Sequence, residues 1–169
     1  MPNIQVSSGG TIRDVTMNSG KMTLSGRLTG TLTVTADSQV NVLDGEVNFD
    51  LTDRTGNDTY LINDLSRITG TPVFTITVTA DQASGEYKLA QGASLPDYTI
   101  TIGDKNGSYG TFTTGSALLY NEKQYRLVNE DGMLQLRILR CFRKYLLISA
   151  LQSTNYLLSL TIHGWSVSN

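Results

Sequence analysis

The sequence predicts an all-β protein: a short β-solenoid whose coils continue into a β-rich capping region, with a divergent C-terminal tail. Three observations support this fold class. The composition is rich in Thr, Ser and Gly and includes eight Tyr, which suits strands and tight turns better than helices. Between residues 4 and 51, apolar residues alternate with polar ones, which is the period of a β-strand. Corners of Gly, Ser, Asn and Asp separate these alternating runs.

The alternating runs repeat at similar distances along the chain. Apolar pairs one residue apart recur at Val15/Met17, Met22/Leu24, Leu32/Val34, Val40/Val42 and Val47/Phe49. Corresponding positions are separated by 17 residues (Val15 to Leu32), 18 residues (Met22 to Val40) and 15 residues (Leu32 to Val47). A unit this short cannot bury its apolar face alone, so we expect each unit to stack on the next, as in a solenoid. An antiparallel meander with glycine turns is the alternative, because its strand spacing is similar.

The first corner, Val6-Ser7-Ser8-Gly9-Gly10-Thr11-Ile12, sets the pattern for the rest of the repeat. Its glycines supply positive φ values without steric cost, so the chain can turn sharply between two strands. Related corners follow at residues 18–20, 25–26, 29–30 and 44–45. We therefore interpret the motif as a geometric corner and not as a ligand cradle.

The segment after the repeat breaks the strand rhythm before strands return. Leu61, Leu65 and Ile68 have helical spacing, which predicts one or two helical turns closed by Gly70 and Pro72. Alternating patterns then predict strands at residues 73–79, 87–90, 98–102, 110–113, 118–120, 125–128 and 133–138, with a hairpin turn at 105–108.

These patterns divide the chain into solenoid coils at residues 1–51, a β-rich capping module at 52–138 and a divergent tail at 139–169. Residues 132–169 carry four basic residues and no acid, and the tail holds the only Cys, His and Trp of the chain. We expect the tail to form a hairpin around residues 152–155 or to be poorly ordered. Its apolar runs are interrupted by polar residues, which argues against a transmembrane helix.

Charge and cysteine content argue against several classes of protein. The formal net charge is −2 and all 15 acidic residues lie within residues 1–131. This acidic body argues against nucleic-acid binding, which usually requires a basic face. With one cysteine, no intramolecular disulfide can form. Residues 1–5 lack the features of a cleaved signal peptide, so we expect an internal protein, export by another route, or a piece of a larger protein.

Two sets of motifs resemble one known family. Residues 6–11 followed by residues 15–20 resemble the repeats of bacterial autotransporter-type adhesin passengers, the diffuse-adherence adhesin group. A second set looks like a module that recurs in the same proteins, and it comprises residues 61–66, 74–78, 85–90, 125–127 and 131–134. The resemblance spans residues 4–138. It implies a β-helical, non-enzymatic protein, extracellular or on the bacterial cell surface, of which this chain is a short or truncated member.

The resemblance also implies what the protein contacts. The expected partner is a protein or glycan on the surface of a host cell or a neighbouring cell. We expect no cofactor, no nucleic-acid partner and no membrane insertion. An exposed strand edge at the end of a solenoid invites self-association, because its backbone groups are unpaired.

Few residues are available for chemistry. His163 and Cys141 are the only residues of their kinds, and neither a Cys–His nucleophile nor a four-ligand zinc site is expected from them. Asp50, Asp53 and Asp58 lie in or near a Gly-Asn-Asp turn, so calcium binding by their carboxylates is one interpretation. However, the paired glycines of stacked calcium-binding nonapeptides are missing, and a solvated Asx turn is the alternative interpretation.

Three further patterns carry ligand hypotheses. Asp44, Glu46 and Asp50 share one face of an unbroken strand, as the carboxylates of a polysaccharide-cleaving enzyme would, or they form a solvent-facing acidic stripe. Tyr109, within a Gly-Ser-Tyr-Gly sequence, is the candidate for an exposed ring in contact with a ligand. The basic cluster at residues 137–144 could meet anionic lipid or nucleic acid, or form a solvated edge.

The sequence thus predicts a non-enzymatic structural or adhesive module without catalytic or metal-binding residues. The alternative is a carbohydrate-binding or polysaccharide-cleaving β-helix protein, in which tyrosine rings line a groove and carboxylates converge. A β-helical fold alone does not decide between them, because function depends on the side chains that a fold brings together.

Overall fold

The structure is a computed structural model that describes residues 2–56 and 58–141. Within these ranges the chain is all-β, with fourteen strands and one short 3-10 helix at Leu65–Arg67. The strands are β1 (Asn3–Val6), β2 (Thr11–Met17), β3 (Gly20–Leu24), β4 (Arg27–Val34), β5 (Ser38–Val42), β6 (Glu46–Asp50), β7 (Ile68–Gly70), β8 (Val73–Thr77), β9 (Gly85–Ala90), β10 (Thr99–Asp104), β11 (Gly107–Thr113), β12 (Ala117–Tyr120), β13 (Lys123–Glu130) and β14 (Met133–Arg140). The predicted all-β class is confirmed.

Two of the three sheets are built mainly from parallel strands. One has the order β1-β3-β5-β7 and the other the order β11-β10-β8-β6-β4-β2, in which only β10 and β11 pair antiparallel. Met22 lies opposite Val40, and Val15 lies opposite Leu32. These pairs confirm the predicted spacings of 18 and 17 residues. The antiparallel meander is therefore wrong for the strands from β1 to β8.

The third predicted spacing, from Leu32 to Val47, is wrong. Val47 lies opposite Leu28 instead, and Leu32 forms a parallel bridge with Ile62. The partner of β4 changes near Gly30, whose φ of 74° lies in the left-handed region and redirects the backbone. The first half of β4 therefore continues into β6, whereas its second half pairs with a more distant segment.

Asp14 and Gly30 form a paired irregularity between β2 and β4. Asp14 has a φ of 52°, and the register of the two strands shifts between Arg13 and Val15. The Asp14 carboxylate accepts a hydrogen bond from the Thr31 N–H at 2.9 Å. A Cβ at position 30 would collide with this carboxylate. Glycine is therefore required at position 30 for space as well as for its positive φ.

Of the one or two helical turns predicted within residues 61–68, one forms, as a 3-10 turn at Leu65–Arg67. Ile62, just before it, bridges Leu32 on one side and Ala90 on the other, in both cases in parallel. The N–H of Ile62 donates to the Leu89 carbonyl and that of Asn63 to the Leu32 carbonyl. Pairing with neighbouring strands therefore limits the helical structure to a single turn.

The remaining sheet is antiparallel and has the order β12-β13-β14-β9. Strands occur in every segment predicted between residues 73 and 138, and the predicted turn at 105–108 joins β10 to β11. Parallel pairing continues beyond residue 51 as far as β10. The division of the chain at residues 51 and 138 stays a prediction. The hairpin predicted around residues 152–155 lies outside the described residues.

Inward-facing side chains form apolar columns that run across the paired strands. Leu24 lies opposite Val42, and both are completely buried. Phe49 stacks on Phe74 with 6.1 Å between ring centroids, and Phe74 meets Tyr98 edge-on at 5.8 Å. Burial of each such side chain contributes ~1.5–3 kcal/mol. The columns therefore supply most of the stabilisation of the parallel region.

Truncating a side chain in a column should destabilise the fold according to its burial. We expect Leu24→Ala to lower the free energy of unfolding by ~2–5 kcal/mol, because Leu24 is 0% exposed and its loss leaves a cavity. Leu43→Ala is the matched control in the corner after β5; Leu43 is 49% exposed, and we expect less than ~0.5 kcal/mol. Urea unfolding measures both variants, and equal effects would contradict the assigned core.

Candidate functional site

The outward side of the six-stranded sheet carries rows of small polar side chains, and we call this surface the threonine face. Its members are Thr29, Asn48, Thr75, Thr77, Thr99, Thr101, Thr111 and Thr113. In the best-defined row, Asn48 lies opposite Thr75, Thr75 opposite Thr101, and Thr101 opposite Thr111. Strand side chains alternate between two sides, so the apolar residues between these positions point into the core.

Asn48 joins three strands of the threonine face. It is only 3% exposed. Its side-chain oxygen accepts a hydrogen bond from the Thr29 hydroxyl at 2.9 Å, and its amide nitrogen donates to the hydroxyls of Thr75 and Thr77 at 2.8 and 2.9 Å. The Thr75 hydroxyl donates in turn to the Glu46 carboxylate. Because these polar groups are mutually satisfied, this part of the face is held in one arrangement.

The three carboxylates predicted to share one strand face do not all lie on a strand. β6 begins at Glu46, and Asp44 lies in the preceding turn with a φ of 58°, so the prediction is wrong for Asp44. Glu46 lies 3.4 Å from Arg27, and Asp50 lies 3.0 Å from Arg13. Four strand residues separate the Cα atoms of Glu46 and Asp50 by ~13 Å. Each of the two carboxylates is matched by the charge of an arginine on another strand.

A polar pocket of about 250 Å³ lies beside Asp50. Its charged lining residues are Arg13, Asp14, Asp50, Asp53, Arg54 and Asp58. The three aspartates predicted as calcium ligands thus reach one pocket, but in the described ranges no group of three or more His, Cys, Asp or Glu residues is arranged to hold a metal ion. The Asp58 carboxylate accepts a hydrogen bond from the Thr55 N–H at 3.1 Å. Its donor lies three residues before Asp58, so this contact is not an Asx turn; the contact with Asx-turn spacing is the one that the Thr52 N–H donates to the Asp50 carboxylate.

Asp50 is the most firmly held carboxylate of the pocket. Its side chain is 14% exposed, and it accepts hydrogen bonds from the hydroxyl and the N–H of Thr52 at 2.7 and 3.1 Å. Burial alone would raise the pKa of Asp50, but the hydrogen bonds from Thr52 and the adjacent Arg13 outweigh it and lower the pKa below its ordinary value. Asp50 is therefore ionised at neutral pH, which does not suit a proton donor.

Tyr109, the predicted ligand-contacting tyrosine, belongs to a cluster of three rings. It stacks on Tyr120 with 4.0 Å between centroids and lies 5.9 Å from Tyr125. Its hydroxyl donates to Asp104 at 2.9 Å. Burial, reinforced by Asp104, raises the pKa of Tyr109 far above its ordinary value. Tyr109 is half-buried with one ring face covered, whereas Tyr120 is 39% exposed and forms the outer ring of the cluster.

The basic cluster at residues 137–144 is described only in part. Arg137 forms ion pairs with Glu86 at 2.9 Å and with Glu130 at 3.1 Å, so its charge is matched within the chain. Cys141 is half-buried. His163 and the basic residues beyond position 141 lie outside the described residues, so the predictions that involve them are not tested.

Sequence patterns miss the site residues that come from distant strands. Asn48 could be placed on the outward face, because it lies at even spacing between Glu46 and Asp50. Arg13 could not be assigned to Asp50, because 37 residues separate them and no local pattern links their strands. The sequence around Tyr120 predicts a strand but not the stacking of its ring on Tyr109, because that contact depends on how β11 and β12 approach each other.

Comparison of the chain with protein-family models, with curated proteins and with solved structures gave no match. In the part of the chain that the structure describes, no helix has the length and apolarity needed to cross a membrane. The resemblance to adhesin passengers therefore rests on the sequence motifs alone.

Replacing Asp50 should weaken the fold at neutral pH but not in strong acid. The pKa of Asp50 is lowered by folding, so its carboxylate stabilises the fold above the unfolded-state pKa of ~3.9, and this contribution is lost as the pH falls through the lower folded-state pKa. We expect Asp50→Asn to reduce the free energy of unfolding by ~1–3 kcal/mol at pH 7. The difference from the unmodified protein should shrink toward pH ~2.

Urea unfolding at both pH values measures this effect. Asp53→Asn is the matched control, because Asp53 lines the same pocket but is exposed, and we expect a change within ~0.5 kcal/mol. A destabilisation by Asp50→Asn that stays constant over the whole pH range would contradict the role given to the ionised carboxylate.

Proposed function

We propose that the chain is a non-enzymatic structural or adhesive module of a bacterial surface or secreted repeat protein, and that its parallel strands form a short β-solenoid. The observation that carries this proposal is the in-register parallel pairing of strands that recur along the chain. Parallel neighbours cannot be joined by a tight hairpin, so the chain passes through another sheet before it returns. Repeated returns of this kind build a solenoid.

The order of the strands supports the solenoid. β1, β3, β5 and β7 follow one another in one sheet, while β2, β4, β6, β8 and β10 follow one another in the other. Each step moves the chain along by one strand spacing, ~4.8 Å. The antiparallel sheet β12-β13-β14-β9 then serves as a cap, which the terminal coils of repeat proteins need for solubility.

The threonine face suits contact with a large partner better than catalysis. It extends over five strands, from β4 to β11, a width of ~19 Å between the outermost two. The hydrogen bonds of Asn48 hold part of it rigid, and a preorganised surface loses little conformational entropy on binding. We propose that this face contacts a protein or glycan on the surface of a host cell or a neighbouring cell.

The carboxylates support a non-enzymatic role. Glu46 and Asp50, the two that share the outward side of β6, are each paired with an arginine, and their Cα atoms lie ~13 Å apart along the strand. The lowered pKa of Asp50 also keeps it from acting as an acid at neutral pH.

A second candidate function is carbohydrate binding, and the tyrosine cluster is the observation that favours it. Tyr120 is 39% exposed, so part of its ring is open to solvent there. Asp104 lies beside the stacked rings, where it accepts the hydrogen bond from Tyr109. An aromatic face next to a carboxylate can contact both the apolar and the hydroxyl side of a sugar.

Beads coated with the whole chain test the adhesive function on cultured epithelial cells and on bacterial cells. The double variant Thr99→Lys/Thr111→Lys adds charge and bulk to exposed positions of the threonine face, and we expect at least ~10-fold weaker binding, which corresponds to ~1.4 kcal/mol. The control Gln39→Lys/Thr71→Lys adds the same charge at exposed positions outside the face and should keep binding. No binding of the unmodified chain to either cell type would refute the proposal.

A glycan array and a sugar-release assay separate the second candidate from the first. Glycan binding that is lost on Tyr120→Ala but kept in Thr99→Lys/Thr111→Lys would favour the carbohydrate site. Release of reducing sugar from a pectin-like substrate would contradict a non-enzymatic protein.

A further inference from the structure

The N-terminal end of the parallel region presents an open strand edge. Among residues 2–56 and 58–141, β1 pairs only with β3 and β2 only with β4, and each is the outermost strand of its sheet. An outermost strand exposes one row of backbone N–H and C=O groups, which readily pair with another strand. The two strands differ in how far they resist such pairing.

The backbone groups of β1 that face away from β3 can be assigned from the hydrogen bonds of the other side. The N–H of Lys21 donates to the Pro2 carbonyl at 3.1 Å, and the N–H of Ser25 donates to the Val6 carbonyl at 2.8 Å. Even-numbered residues of β1 therefore face β3. Because backbone groups alternate along a strand, the N–H and C=O of Asn3 and Gln5 point to the open side.

The apolar core is incompletely covered at this end. Ile4 occupies the same column as Met22, its partner in β3, but Ile4 is 37% exposed whereas Met22 is 0% exposed. Ile12 is likewise half-buried, although its partner Leu28 is 2% exposed. Both isoleucines point toward the core and are exposed because no strand lies beyond them in the described chain.

β1 lacks the features that protect the other outermost strands of the described residues. β2 carries the charged Arg13 and Asp14 and the positive φ of Asp14. β7 has only three residues and ends in glycine. β11 pairs with β10 through an irregular register, and β12 is followed by two residues with positive φ. By contrast, residues 2–12 contain no charged side chain. Charges, bulges and short length are the usual devices against edge pairing, and β1 has no charge and no bulge.

We propose that β1 binds a second copy of the chain, with the two β1 strands antiparallel about a two-fold axis at Ile4. Asn3 and Gln5 lie symmetrically about Ile4, so Asn3 of one copy lies opposite Gln5 of the other and their outward backbone groups hydrogen-bond in both directions. The two Ile4 side chains meet on the axis and cover the exposed ends of both cores. Closed two-fold pairing uses the same surface on both copies.

The absence of charge is what selects a second copy as the occupant. Like charges that face each other across antiparallel strands are destabilising. About an axis at Ile4, residues 2–6 of one copy lie opposite residues 6–2 of the other, and none of these residues is charged. A strand pair of this length buries little area, so the dimer should be weak and should form only at high chain concentration. The dimer does not depend on the adhesive function proposed above.

Sedimentation velocity over a range of concentrations tests the dimer, with Cys141→Ser in every sample to prevent disulfide exchange. For the chain with unmodified β1, we expect the average mass to rise with concentration, from that of one chain toward that of two. Ile4→Lys should remain monomeric, because two ammonium groups would face each other on the axis. Leu43→Lys, which adds the same charge at an exposed corner away from β1, should still dimerise.

A pair of substitutions at Gln5 tests the backbone hydrogen bonds. Gln5→Pro removes an outward N–H without breaking a bond to β3, which an edge strand tolerates, and it should abolish the dimer. Gln5→Thr keeps the outward backbone N–H of residue 5, so this variant should dimerise like the chain with unmodified β1. Circular dichroism confirms that each variant is folded.

Cross-linking locates the axis. In antiparallel strands the directly opposed residues that do not hydrogen-bond have Cα atoms about 4.5 Å apart, which lies within the range for a disulfide, about 4.4–6.8 Å. Ile4→Cys in the Cys141→Ser background should therefore form a disulfide-linked dimer under mild oxidation, and Leu43→Cys should not. A monomer at all concentrations, an open-ended polymer, or equal cross-linking at both positions would overturn the proposal.

Discussion

In-register parallel pairing, of β3 with β1 and β5 and of β2 with β4, is the constraint on which the rest of this structure depends. It places apolar residues of successive strands in shared columns, as with Leu24 and Val42, and those columns bury the side chains that stabilise the fold. It also requires the chain to leave each sheet before returning. The Gly-rich corners, such as the one at Gly9 with a φ of 81°, follow from that requirement.

The same alternation that fills the core creates the outer surface. Val47 and Phe49, the inward residues of β6, are flanked by outward polar residues, and the side chain of Asn48 links three strands. The result is a broad surface whose hydroxyl and amide groups are already satisfied by one another. Such a surface supports the proposed contact function, because binding would not require it to rearrange, and its carboxylates are engaged with arginines.

Much of the fold and part of the candidate site could be predicted from the sequence. The strand segments and the spacings of 17 and 18 residues follow from local alternation and were confirmed. Asp50, Asp53 and Asp58 could be grouped because they are close in sequence, and they do line one pocket. The partnership of Asp50 with Arg13 and the stacking of Tyr120 on Tyr109 could not be predicted, because each depends on contacts between separate strands.

The sequence by itself determined which residues point inward, where the chain turns, and that the protein is all-β, because these properties depend on neighbouring residues and backbone preferences. Only the tertiary structure decided that Leu32 pairs with Ile62 and not with Val47, and that the helical spacing around Leu65 yields one 3-10 turn. Both outcomes depend on the hydrogen-bonding demands of distant strands. A backbone segment placed between two strands gains more hydrogen bonds by joining them than by forming a helix of its own.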